Sequence, residues 1–163
     1  MLLRLLAAGY TLDQGFIKNE FNTIMQDIPH YVKLTETVAA ASQIQVADLA
    51  AIAAAGYQVV INNRPDGEAM GQPSSEEMRA AAASEGLEYH YYPLNAFNYP
   101  GPDLSAMAEL FDGSRPVFAF CRSGTRSSNL WISSRSVDEQ DKARQHAQQL
   151  GFDVSISISM SRR

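Results

Sequence analysis

The chain contains one cysteine, Cys121, and the residues from 121 to 127 read CRSGTRS. A lone cysteine is most often a small buried hydrophobe, so its neighbours must argue for chemistry. An apolar run, PVFAF at 116–120, precedes it; Gly124 follows three residues on and Arg126 two beyond that. Small residues around a glycine let a loop curl until several backbone N–H groups point at one centre, which makes an anion-binding nest. A helix starting just beyond such a loop adds the positive end of its dipole. Arg126 contributes a planar fork suited to oxyanions. The same field favours the thiolate, which is both nucleophile and leaving group. We therefore expect Cys121 and Arg126 to be catalytic. Arg122, Ser123, Gly124, Thr125 and Ser127 are expected to bind the anion, with Ser127 also donating a hydrogen bond to the sulfur.

Other residues belong to the pocket by position. Arg64 and Asp66 lie in NRPDGE at 63–68, at the end of an apolar run, where Arg64 can meet an anion or pair with Glu68 and Asn63 can orient the turn. Phe97 and Tyr99 stand in NAFNYPGPD and can wall the site against water. An acid for protonating a leaving group has three candidates, Asp66, Asp103 and Asp112. Each has a plainer reading, because Asp66 and Asp112 suit turns and Asp103 suits a helix start. His90 alternates with tyrosines on a strand and reads as filling a face. His30 and His146 suggest nothing catalytic. Three scattered histidines and one cysteine predict no metal site and no cofactor.

The elements that must hold this loop are readable from pattern. QVADLAAIAAAG, ending at Gly56, predicts a helix with a glycine stop. YQVVIN at 57–62 predicts a strand buried on both faces. Ser74 and Ser75 ahead of Glu76 and Glu77 predict a capped helix ending near Gly86. The cycle repeats with LEYHYYP at 87–93, a helix over 103–111, PVFAF, a helix through Trp131 and another over 137–150. VKLTETVAA supplies one or two strands near the front, as an edge hairpin. Alternating strands and helices predict an α/β fold with a mainly parallel sheet flanked by helices. In such a sheet ligands gather beyond the carboxyl ends of the strands, which is where Cys121 falls.

At 163 residues the chain suits one domain with a substantial core. The expected layout is a lead-in over 1–28, a catalytic domain over 29–155 and a tail over 156–163. Hydrophobic residues at 45% and charged residues at 19% match an ordinary globule. A net charge of −5 argues against nucleic acid. No apolar stretch approaches a bilayer span. Arg4 interrupts the short apolar start, so the cytoplasm is the expected compartment.

CRSGTRS resembles the active loop of single-domain rhodaneses. INNRPDGE, the QPSSEE helix start and FCRSGTRSSNLW together resemble the phosphatase-like domain family of beta-lactamase hydrolase-like proteins, over roughly residues 31 to 155. That resemblance implies the three-layer fold of the cysteine-dependent dual-specificity phosphatases. Members are described as phosphatase-like and as sulfurtransferases, and some are fused to a persulfide dioxygenase, the partner it implies. Tyrosine-phosphatase loops place five residues between cysteine and arginine, whereas four stand between Cys121 and Arg126. The smaller ring and the lack of an obvious acid favour a sulfurtransferase that carries sulfane sulfur as a Cys121 persulfide. The alternative is a phosphatase working through a Cys121 phosphoryl intermediate. A non-catalytic oxyanion-binding or redox-sensing domain is the remaining reading. The expected substrate is a small anion containing sulfur or phosphate.

Overall fold

The computed structural model describes residues 28–161, so the expected lead-in lies outside the described residues save for Ile28. The described chain opens with a hairpin, β1 (Tyr31–Lys33) and β2 (Val38–Ala41). Thr35 closes its turn by accepting the N–H groups of Thr37 and Val38 on its hydroxyl. There follow α1 (Asp48–Ala54), β3 (Val59–Asn62), α2 (Ser75–Ser84), β4 (Glu88–Tyr91) and α3 (Leu104–Asp112). β5 (Val117–Phe120), α4 (Thr125–Ser133), α5 (Val137–Gln149) and α6 (Ser155–Ser161) complete it. The five strands form one sheet in the order β1-β2-β5-β3-β4. β1 runs antiparallel to β2, and every other pairing is parallel. The hairpin thus supplies an edge strand, β1, and an interior one, β2.

Successive strand residues point to opposite faces, and both faces here are covered. Ala39, Ala41, Val60, Phe118 and Phe120 pack with Leu49 and Ile52 of α1 and Met78 and Ala82 of α2. Val38, Ala40, Val59, Ile61, Val117 and Ala119 pack with α3, α4 and α5 through Met107, Phe111, Leu130, Ile132 and Ala147. Burial on both sides explains why Val59–Ile61 of β3 and the whole of β5 read as apolar runs rather than alternating ones. The result is the expected three-layer α/β architecture. Local chemistry sets the helix starts. Ser74 and Glu77 form a reciprocal capping box at α2, and Asp103 accepts the Ala106 N–H at the head of α3.

Residues 156–161 of the expected tail belong to α6. Asn129 of α4, fully buried, donates to the Asp153 carbonyl at 2.7 Å and accepts the Ser157 N–H at 2.9 Å. Those two bonds fasten α6 to the helix that follows the Cys121 loop. The carboxyl ends of the parallel strands bring together the loops after β2, β3, β4 and β5 on one edge of the sheet, as the topology requires.

Candidate active site

Cys121 directly follows β5, and its N–H donates to the Ala41 carbonyl at 3.2 Å. The loop after β2 braces what comes next: Gln43 N–H donates to the Arg122 carbonyl, and Ser42 bridges Ser123. Gly124 then adopts φ +86°, a left-handed conformation that other residues enter at a cost. This turn aims the Gly124 N–H at Cys121 Sγ, 3.1 Å away, just before α4 begins. The sulfur therefore faces a backbone donor and the positive end of a helix, as the loop sequence implies. A Cβ at position 124 would lie 3.1 Å from a Phe152 ring carbon and 3.4 Å from the Ala41 carbonyl oxygen. Gly124→Ala is expected to lose about 1–2 kcal/mol of stability from the left-handed backbone, read as a lower urea midpoint at unchanged m-value. An unchanged midpoint would mean that the turn tolerates a side chain.

Arg126 is held from two sides. Its Nη1 donates to Glu68 Oε1 at 2.6 Å and to the Leu94 carbonyl at 2.8 Å, while Nη2 donates to Glu68 Oε2 at 2.9 Å. Glu68 also accepts Arg64 Nε at 2.8 Å, and Arg64 Nη1 reaches Gln43 Oε1 at 2.9 Å. These bonds thus join the loops after β2, β3 and β4 to α4 through Arg126. The Glu68 carboxylate, and after it Cys121, raises the Arg126 pKa above its ordinary value. In return the Arg126 guanidinium, with Arg64 behind it, pulls the Glu68 carboxyl down from 4.5 to about 2. A folded value below the unfolded one means that this clasp stabilises the fold in full above pH 4.5 and loses its effect as pH falls towards 2. The stability gap between wild type and Glu68→Gln is expected to be constant from pH 6 to 5 and to shrink below 4.5. A gap that widens on acidification would refute the clasp.

Arg64 is buried and committed to Glu68 and Gln43, so of its two expected roles the local pairing is the one observed. The expected bond from Ser127 to the sulfur is not formed. Ser127, fully buried, donates instead to Asn63 Oδ1 at 2.8 Å. Asn63 is itself fully buried and donates to the Phe120 and Tyr92 carbonyls, so it ties β5, α4 and the loop after β4 to one point. Ser123 and Thr125 bond to each other through their hydroxyls, and the Arg122 side chain is exposed. Asp66 does not belong to the pocket. Both its oxygens are taken by Ser75 N–H and hydroxyl at 2.8 Å, which makes it an anchor for the start of α2. Phe97 is 99% exposed and walls nothing. His90 pairs with Glu88 on the strand rather than filling a face.

Beside Arg126 lies a cavity of about 610 Å³. Glu68 and Arg126 line it together with Asn95, Ala96 and Tyr99 of the loop after β4, and Ser155, Ile156 and Ser159 of α6. Tyr99 is thus the one expected wall residue found there. Its hydroxyl bonds Ser133 at 2.8 Å, and burial pushes its pKa up. Glu68 and α6 are the site parts that the motifs did not indicate. The Arg64–Glu68 spacing was the only signal for the first. Cys121 itself is fully buried and is not among the residues that line the cavity. Among the described residues no group of three or more His, Cys, Asp or Glu could hold a metal ion. None of the helices there is long and apolar enough to cross a membrane.

A mainly parallel sheet that carries a buried cysteine, a left-handed glycine and a clasped arginine where β5 turns into α4 has the architecture of the cysteine-dependent phosphatases. A crystal structure from Neisseria meningitidis, provisionally named a phosphatase, is 31% identical, with a TM-score of 0.57 over 72% of this chain and 87% of that one. P. aeruginosa TpbA, solved in complex with pTyr, shares the fold at 13% identity and a TM-score of 0.55, covering 78% of this chain and 76% of that one. The family model for the phosphatase-like domain of beta-lactamase hydrolase-like proteins matches residues 30–156. The chain belongs to that family. A beta-lactamase hydrolase-like protein from Agrobacterium fabrum is 32% identical over 108 residues, which are 66% of this chain and 25% of the relative. The match thus spans a quarter of that relative's length.

Proposed function

We propose that the chain is a thiolate-dependent hydrolase of phosphate esters. Cys121 Sγ attacks phosphorus in line, the P–O bond to the organic group breaks, and water then cleaves the S–P bond to release phosphate. The observation that carries this reading is the Arg126 guanidinium, fixed by Glu68 and Leu94 and near enough to Cys121 for the sulfur to help raise its pKa. A rigid fork beside a nucleophile is worth most where charge develops on a transferring phosphoryl group. The family and its phosphatase neighbours support phosphate over sulfur, against the preference that the smaller ring and the missing acid suggested.

The missing acid then limits the substrate. Asp66 anchors α2, Asp103 caps α3, and Asp112 pairs with Arg135. Glu68 lines the cavity but is ionised at neutral pH, so it has no proton to give. Esters whose leaving oxygen departs without protonation fit best. A phenol of pKa about 10 does so far more readily than an alcohol.

The test pairs two reactions. The purified chain is incubated with an aryl phosphate, and separately with thiosulfate and cyanide, and the Cys121 peptide is weighed after rapid denaturation. Phosphate release with a phosphoryl adduct on Cys121 is expected. Thiocyanate release with a Cys121 persulfide, and no phosphate release, would replace this reading by sulfur transfer.

A further inference from the structure

The cavity beside Arg126 has one wall that the family match hardly reaches. The matched residues end at 156, whereas α6 runs from Ser155 to Ser161 and turns Ile156 and Ser159 into the cavity about one helical turn apart. We propose that α6 is the specificity wall of the site. It selects phosphate esters whose organic group is a flat aromatic ring, seated against Ile156 and Tyr99 while the phosphoryl group engages Arg126. This inference rests on the phosphatase reading above and adds to it the element that chooses the substrate.

Three observations carry it. The first is size and lining. A cavity of about 610 Å³ is far larger than a phosphoryl group needs and falls in the range of small-molecule sites. Ala96, Tyr99 and Ile156 give it apolar walls, and the Ser159 hydroxyl is already spent on the Ile156 carbonyl at 2.7 Å. Such a surface gains by covering an apolar ring and gains nothing from a short polar chain. The second is rigidity. Asn129 fastens both the approach to α6 and the Ser157 N–H to α4, the helix that also carries Arg126. Wall and guanidinium are therefore set relative to each other by one buried side chain rather than by a loose tail, which is what a selective site requires. The third is chemical. With no carboxylic acid lining the cavity in its protonated form, a ring bonded directly to the ester oxygen supplies the stabilised leaving group that the chemistry needs. Shape and reaction converge on the same substrate.

The experiment compares phenylphosphonate with methylphosphonate by calorimetric titration, since neither can be hydrolysed. Wild type is expected to bind the phenyl compound about tenfold more tightly, a difference of about 1.4 kcal/mol. Ser159→Trp, at an exposed position, fills the cavity, and Ile156→Ala strips its wall; in both the affinity ratio is expected to fall to about one. Circular dichroism checks that each variant is folded. A ratio that stays near ten in both variants overturns the wall. Equal binding of the two compounds by wild type also overturns it, and leaves the phosphatase reading standing if an aryl phosphate is still hydrolysed. Loss of both ligands from a folded variant would assign α6 to the anion seat instead and overturn the proposal. Failure of wild type to bind either compound or to hydrolyse an aryl phosphate removes both readings together.

Discussion

Cys121→Ser is expected to cut phosphate release from an aryl phosphate by at least about 1,000-fold in kcat, the scale seen when a covalent nucleophile is removed. The size follows from what surrounds the sulfur. Sulfur is intrinsically a strong nucleophile, and here it lies beside the Gly124 N–H, the start of α4 and Arg126. A serine hydroxyl would need a base to take its proton. Glu68 is locked to two guanidiniums and pulled to about 2, which makes it a poor base. His30, His90 and His146 are absent from the cavity lining. The substitution is otherwise mild. Oxygen is smaller than sulfur, and the Gly124 N–H can still donate to it, so affinity for a phosphonate should change by no more than a few-fold. Turnover and titration together separate chemistry from binding. A variant that keeps a tenth of the wild-type rate would mean that the sulfur is a bystander.

What the sequence could convey about this site depended on distance along the chain. The loop from Cys121 to Arg126 was legible because the nest is local. A strand, a glycine able to take φ +86° and a helix start fall within a few residues, and each has its own residue-type signature. The sheet was legible for a similar reason. Runs such as PVFAF and YQVVIN are mostly apolar because both faces of β5 and β3 are buried. The clasp was not legible, because Glu68 and Arg126 lie 58 residues apart and meet only after β3 and β5 have paired. Ser127 misled for the same reason. Its place at the start of the helix after Cys121 was readable, but its proton goes to Asn63, 64 residues away. The segment SISISMS gave the weakest signal of all. Its alternation suits a strand better than a helix, and serine and isoleucine are middling helix formers. Buried bonds from Asn129 override that preference and build α6, so a segment expected to trail off becomes a wall of the cavity.

Arg126→Lys tests whether that clasp serves catalysis or only the fold. The expected result is a loss of about 100- to 1,000-fold in kcat/KM for an aryl phosphate, the cost of removing a positioned donor to developing charge. Most of the loss should appear in kcat. Charge is preserved by the substitution, so a merely electrostatic role would predict a small effect. The planar fork is what lysine cannot reproduce. The guanidinium donates to both Glu68 oxygens and to the Leu94 carbonyl through Nη1 and Nη2, and Cys121 lies near enough to help raise its pKa. An ammonium has three donors on one atom. It can hold Glu68 or face the phosphoryl group, and satisfying the carboxylate draws it away from the sulfur. The fold itself should suffer less, because Arg64 still grips Glu68 at 2.8 Å and Gln43 still steadies Arg64. A variant with near-normal stability and a large fall in kcat would place the function of the clasp in orienting the guanidinium. A loss below about fivefold would mean that positive charge alone suffices, and would remove the fork from the mechanism.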